Sequence, residues 1–521
     1  MMNKNLRLFL LIFIGILIIS IGIWIASNII LKNKAENFLA TRIPPNISAT
    51  YSDLTLNIFQ GTLTFNEVSV VLKNKIDDKV HTQVAVDKFI IEDISYMDYV
   101  FQKEIHIEDI KLKSPIIKYY SHMLSPSKDS VRKSPITLYK PVLIDELSID
   151  NATLHIYDGT KDSISLYGKN ITVEIDDILV NRETLQKRLP ITFSDYEAEG
   201  DSIFLKAGPY ENLSSGDFFI KKGKGEFNSL SLQTKYSKTR LSQLISKERD
   251  HFNLIIPKIT LDGINFGFKN RVLFAGSTSM TIEQPNLKIF RDKTVADDLT
   301  RKPLYSEMLR TLPFQLTMEK IAIKNAAIAY TEKVKDDNSG GTINFDNLYA
   351  NIQNASNTYP KGTRTTLDIK SNFMENTSIA VDWDFDVNNT ADTFIFKADI
   401  GKLSAEKLNK FTVPNLKVMM EGEVEKTYFT ISGDHTRSHV DMKMRYDDFK
   451  VSVLNKEGNK KNKFLSAIVN IFIKKESDEN SEDFREGSAT VSRDKTKSIF
   501  NYFWLNTRDG LKSILTGNDK N

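Results

Sequence analysis

Hydrophobic positions along this chain follow two rhythms. Between Leu8 and Leu31 they are continuous: LFLLIFIGILIISIGIWIASNIIL contains no charged residue. A helix of that length rises ~36 Å at ~1.5 Å per residue, enough for a hydrocarbon core of ~30 Å. The run exceeds the apolar region of about 7–15 residues in a cleaved signal peptide. Trp24 near one end suits an interfacial anchor. Lys4 and Arg7 before the run nearly balance Lys32, Lys34 and Arg42 after it, so charge sets no orientation.

Beyond about residue 50 the period is two. Leu54, Leu56 and Ile58 alternate with polar residues, then Leu63 and Phe65, then Val68 and Val70, with Gly61 where a turn is expected. Such alternation predicts strands with one buried face. The same signal recurs in Ser163–Val173, Thr342–Ile352, Ile379–Phe385, Thr393–Ile400, Tyr428–Ile431 and Val440–Tyr446.

One phrase recurs at fixed spacing. From a starting apolar residue, further apolar residues (or Pro or Ala) fall three, five, eight, ten and twelve positions on. Ile107 leads to Ile110, Leu112, Pro115, Ile117 and Tyr119; Ile144 to Leu147, Ile149, Ala152, Leu154 and Ile156. Ile256 leads to Ile259, Leu261, Ile264, Phe266 and Phe268; Met318 to Ile321, Ile323, Ala326, Ile328 and Tyr330. The pair at six and seven is polar or glycine each time: Lys113-Ser114, Asp150-Asn151, Asp262-Gly263 and Lys324-Asn325. This reads as a loose structural repeat of short strands interrupted by tight turns or bulges.

Helical spacing is rare. Leu241, Leu244 and Ile245 predict a short helix, Pro303–Leu312 another, and Phe464–Ile473 a third. The clearest is the segment carrying Ile499, Phe500, Phe503, Trp504, Leu511, Ile514 and Leu515, with basic residues elsewhere on the turn. Two arrangements satisfy such a helix: packing on the sheet, or lying on a membrane surface through Phe500, Phe503, Trp504 and Leu511.

The sequence contains no cysteine, which excludes disulfides, thiolate metal sites and cysteine nucleophiles. Seventy basic against 67 acidic residues leave a net charge of +3, with no basic field for nucleic acid. Phosphate loops, nucleophile elbows and H-E-x-x-H are absent from the sequence. Lys222-Gly223-Lys224-Gly225 is better explained by a β turn. His435 and His439 would share one face of a strand, but neither Cys nor a second pair accompanies them. Asp176 and Asp177 would point to opposite faces and form no catalytic pair. The chain is therefore expected to be no enzyme, and to need no metal or cofactor.

The order of apolar run, Arg42-Ile43-Pro44-Pro45 and YSDLTLNIFQGTLTFNEVSVVL resembles the opening of AsmA-like envelope proteins. Asp53, Leu54, Leu56, Phe59, Gly61, Leu63, Phe65 and Val68 carry the likeness, as do Ile321–Tyr330, KVMMEGEVEKTYF and KNKFLSAIVNIFI. The resemblance implies a bridge-like lipid transfer protein: anchored in the inner membrane, projecting into the periplasm, with a curved sheet whose concave face holds phospholipid acyl chains. It implies no catalytic residues.

The resulting expectation is mainly β: an N-terminal transmembrane helix, then an elongated, curved, mostly antiparallel sheet with few helices and a C-terminal amphipathic helix. Residues 1–7 form a tail, 8–31 the anchor, 32–450 the groove-like domain and 451–521 a helical and loop segment. The expected groove lining is Ile107, Leu112, Ile149, Leu154, Leu261, Phe266, Ile323 and Ile328. The expected function is binding or conducting phospholipid in outer-membrane lipid transport, from a single-pass inner-membrane position with the large domain in the periplasm. The alternative is a β-sandwich scaffold or regulator of envelope assembly with a protein partner, because groove and filled sandwich give the same alternation.

Overall fold

The computed structural model describes residues 44–57, 61–124, 140–159, 163–336, 338–454 and 484–516. Among these, strand accounts for 62 % and helix for 13 %, as period-two alternation requires. The chain divides into two compact units, Met1–Ser229 with Gly267–Leu273, and Leu230–Phe266 with Phe274–Asn521.

In the first unit, β1 (Ile47–Thr50) and β2 (Asp53–Asn57) pair antiparallel with β3 (Thr62–Lys73), which pairs with β4 (Val80–Ile94). β4 is long enough for two partners: β5 (Ile105–Lys113) and β6 (Ile116–Tyr120) lie along its two halves. β7 (Val142–Asp158) runs parallel to both, and β8 (Ser163–Val180) returns antiparallel to β7. β9 (Asp195–Gly200) and β10 (Ser202–Lys206) pair with β8. β11 (Glu211–Ser215) follows on β10, and β12 (Phe218–Lys221) on β9. β13 (Lys224–Thr234) folds back on β12 through Lys222 and Gly223, both left-handed at φ 49° and 71°. This is the turn expected from Lys-Gly-Lys-Gly.

The second unit opens with α1 (Lys238–Leu244), whose N-cap Ser237 accepts from the Arg240 N–H. After it come β14 (Asp250–Asp262), the short β15 (Asn265–Lys269), β16 (Val272–Glu283) and β17 (Asn286–Asp292), with β14 antiparallel to both β16 and β17. α2 (Tyr305–Arg310) precedes β18 (Gln315–Lys333), which runs parallel to β16 and β17. β19 (Gly341–Ser356), β20 (Arg364–Phe373), β21 (Thr377–Asp386) and β22 (Phe394–Ile400) form an antiparallel meander from β18. β23 (Leu403–Ser404) and α3 (Asn409–Leu416) lead to β24 (Val418–Gly433), β25 (Arg437–Val453) and β26 (Arg485–Ser492), and α4 (Ile499–Thr516) follows.

The two units share a supersecondary motif. A long strand (β4 or β14) takes two consecutive short partners, and a second long strand (β7 or β18) then pairs with those partners in parallel. The repeated phrase is the sequence image of this motif. Ile107, Ile110, Leu112, Ile117 and Tyr119 lie beside Ile144, Leu147, Ile149, Leu154 and Ile156, position for position. Against the Met318 phrase lies a fifth copy, Met280, Ile282, Pro285, Leu287 and Ile289, whose first slot is Ser277.

The seventh position is left-handed in all five copies: Ser114, Asn151, Gly263, Gln284 and Asn325 have φ of 48°, 54°, 64°, 48° and 53°. The kink has a purpose readable from parity. Offsets three and five are odd, while eight, ten and twelve are even. In an unbroken strand the two sets would face opposite sides. One residue inserted at a bulge returns both to one face.

The sheet is mostly antiparallel, and each unit holds parallel ladders within the repeat. One expectation is corrected. The transmembrane helix, and the single-pass inner-membrane placement built on it, are not met: among the described residues no helix is long and apolar enough to cross a membrane. The longest, α4, carries Arg508, Asp509 and Lys512 within 18 residues. The Leu8–Leu31 run lies outside the described residues, as does Phe464–Ile473. The short helices expected near Leu241 and at Pro303–Leu312 are α1 and α2.

Candidate functional site

Repeat positions that look alike in sequence differ in burial. In the first unit Ile107, Ile110, Ile144 and Ile156 are fully buried, and Leu112 and Leu147 nearly so. They belong to one cluster with Leu63 and Phe65 of β3, Val84 and Ile91 of β4, and Ile178 of β8. Cross-strand rows such as Leu63–Ile91–Ile110–Leu147–Ile175 place these side chains on one face of one sheet. Side chains of this face from β3, β4, β5, β7 and β8 pack against one another in that cluster. Leu185, Leu189, Ile191 and Phe193, from the chain after β8, pack against it. The result is a filled core.

In the second unit the equivalent rows are open. Ile259, Ile282 and Ile323 form one row, and Leu261, Met280, Ile321 and Ile352 the next. Leu254, Leu287, Ile328 and Phe345 continue the face beyond the bulge. All are only partly buried. The alternate residues Lys320, Lys324, Asn351 and Gln353 are exposed on the other side. The same face is closed further along, over β21–β26. There α4 inserts Phe503 against Phe396, Phe394 and Trp383, with ring centroids 4.2, 5.7 and 5.4 Å apart. The apolar face is thus capped by α4 over β21–β26, whereas over β14–β19 α3 reaches only β18 and β19 and the rows named above stay partly exposed.

A charged lip ends the uncapped stretch. Arg291 donates from Nε and Nη2 to the two carboxylate oxygens of Asp250, at 2.7 and 2.6 Å. Beside it the Tyr330 hydroxyl donates to Glu332 at 2.7 Å. Burial pushes the Tyr330 pKa far up, so it stays a neutral donor.

The eight residues expected to line a groove therefore separate. Ile107 and Leu112 lie inside the filled core and cannot contact a ligand, and Ile149 and Leu154 are half-buried against it. Leu261, Ile323 and Ile328 lie on the open face, and Phe266 is 40 % exposed. On α4, Phe503 is in the core and Leu511 packs against it, whereas Phe500 and Trp504 point outward. The helix packs on the sheet, and only part of its expected membrane face is free.

Polar candidates are equally plain. His435 sits before β25, with Nδ1 2.7 Å from the Ala391 carbonyl, and His439 contacts Thr490 and Asp441, so the two form no joint site. Asp176 does join a carboxylate cluster that sequence reading missed, with Glu146 opposite it on β7 and Glu174 two residues away. Burial, then Glu174, raises the Glu146 pKa. The cluster could take a hard cation, and the structure offers no second feature aimed at one. No protein-family model matches the chain, and no curated protein matches it.

Proposed function

We propose that the second unit binds the acyl chains of lipids along the open apolar face of β14–β19, and that the protein binds or conducts phospholipid. The observation carrying this reading is the contrast within one repeat. The slot three residues into the phrase is fully buried in the first unit, at Ile110 and Leu147, and only partly buried in the second, at Ile259, Met280 and Ile321. Apolar strands of this length need a cover, and the face from β14 to β19 lacks the helix that covers β21–β26. Each methylene removed from water there contributes ~0.8 kcal/mol without polar recognition. The Asp250–Arg291 pair and Tyr330 at the lip suit a headgroup that stays in water.

The test uses a photo-crosslinking amino acid placed at Ile321 or Ile323, with Ala322, on the opposite face of β18, as control. Phospholipid crosslinked from 321 and 323 but not 322, and lost in an Ile282→Asp variant, is the expected result. A lipid-free protein that crosslinks equally from 322 and 323 overturns the reading and favours a scaffold with a protein partner.

A further inference from the structure

α4 covers its stretch of sheet with one side and turns an apolar flank toward the open stretch. Phe503 sits on β21 and β22, against Trp383, Phe394 and Phe396. Asn506 and Ser513 bind the strands beyond. Asn506 Oδ1 accepts from the Ser438 hydroxyl of β25 at 2.9 Å, and Ser513 Oγ accepts the Ser488 N–H of β26 at 3.2 Å. At 3.6 residues per turn, Phe500, Trp504 and Leu511 fall on the opposite flank, toward β20 and β19. Phe500 and Trp504 are 61 and 44 % exposed there.

The flank continues at both ends. Tyr305 of α2 has its ring 6.4 Å from Phe500, and Met308, one turn on, is exposed as well. Trp504 in turn lies 6.5 Å from the Phe411 ring of α3. α3 rests on the same face as the open rows: Gly341 has the strand parity of Phe345, and a side chain there would run into the Phe411 backbone. From Gly341 α3 reaches β24, where Asn409 exchanges hydrogen bonds of 2.9 and 2.8 Å with the Met420 backbone. Ile369 of β20 packs both with Leu348 and Ala350 and with the cluster of Trp383 and Phe503. The open rows therefore run without a break to an aromatic wall, Tyr305–Phe500–Trp504–Phe411. The charges beside this wall are of both signs and paired, Arg301 with Glu307, and Lys407 and Lys410 with Glu375.

We propose that Tyr305, Met308, Phe500 and Trp504 form the second wall of the lipid site, so that an acyl chain lies between them and the open rows of β18 and β19. This rests on the lipid reading of the open face and adds to it a helical side that holds the chain. Paired charges give the wall no preference for a charged ligand, and its aromatic rings offer large apolar area with few rotatable bonds. A hydrocarbon chain is thin and flexible enough to lie along a recess with sheet on one side and helix on the other. α3, which crosses from β19 to β24 on that face, bounds the recess at the end where β18 finishes.

The test places a photo-crosslinking amino acid in the full-length chain at Phe500, at Trp504 or, as control, at Lys512, which is exposed on the side of α4 away from the sheet. Each chain is irradiated with vesicles of tritiated phosphatidylcholine. Lipid should attach from 500 and 504 severalfold more than from 512. Phe500→Ser with Trp504→Ser should cut the lipid crosslinked from Ile323 severalfold while far-UV circular dichroism stays unchanged. Lipid captured from 323, but no more from 500 and 504 than from 512, overturns the second wall and leaves the open-face reading standing. No lipid from 323, 500 or 504 overturns both. A crosslinked dimer from 504 in place of lipid overturns the proposal in favour of a second copy of this chain on the wall.

Discussion

Leu147 and Ile321 occupy the same slot of the repeat, three residues after its start, and removing their side chains should have unequal consequences. Leu147 is 1 % exposed in the filled core of the first unit. Leu147→Ala removes three carbons, about 2.4 kcal/mol of transfer free energy at ~0.8 per carbon. A cavity term adds to this because neighbours relax only partly, giving about 3 kcal/mol or more. Ile321 is half-buried on the open face, so Ile321→Ala loses part of the transfer term and leaves no closed cavity, about 1 kcal/mol. Hydrogen-exchange mass spectrometry of peptides from β7 and β18 measures each locally and needs no two-state assumption. Leu147→Ala should speed exchange in β7 about a hundredfold, and Ile321→Ala should speed it in β18 less than about tenfold. Equal accelerations, or a larger one for Ile321→Ala, would refute the claim that one face is filled and the other open.

The left-handed bulge residue should tolerate only some side chains. Asn325 is exposed at φ 53°, so Asn325→Val loses no packing yet should cost about 1–2 kcal/mol through backbone strain, whereas Asn325→Gly should stay within about 0.5; urea unfolding of both variants checks this. His106 gives a pH signature: its hydrogen bond to Asp145, opposed by desolvation and helped by Asp98, raises its pKa above the ordinary 6.5. A raised folded-state pKa means this stabilisation is fully present below about 6.5 and is lost as pH rises through the folded value. The stability gap between the wild type and His106→Gln, from urea curves at several pH values, should therefore shrink from pH 6 to pH 9, and a gap that widens would contradict the assignment.

Much of the architecture was legible in the chain. Alternation of period two gave the strands, and helical spacing gave α1, α2 and α4. The fixed offsets around Ile107, Ile144, Ile256 and Met318 marked a real repeat, because the bulge that restores facing must sit at one place in each copy. The fifth copy escaped notice because Ser277 fills its first slot, although Met280, Ile282, Pro285, Leu287 and Ile289 keep the remaining spacing. The Glu146–Glu174–Asp176 cluster was hidden because strand register, which sequence spacing does not reveal, brings those carboxylates together.

What the sequence by itself determined is which residues share a face: alternation and the bulge are local, set by backbone geometry within a few residues. Whether that face is covered was decided only by the tertiary structure. Leu147 and Ile321 fill the same slot of the phrase, yet Leu147 is fully buried in the cluster of the first unit and Ile321 only partly buried in the second. Burial depends on strands and helices distant in sequence, and no local pattern encodes where they pass.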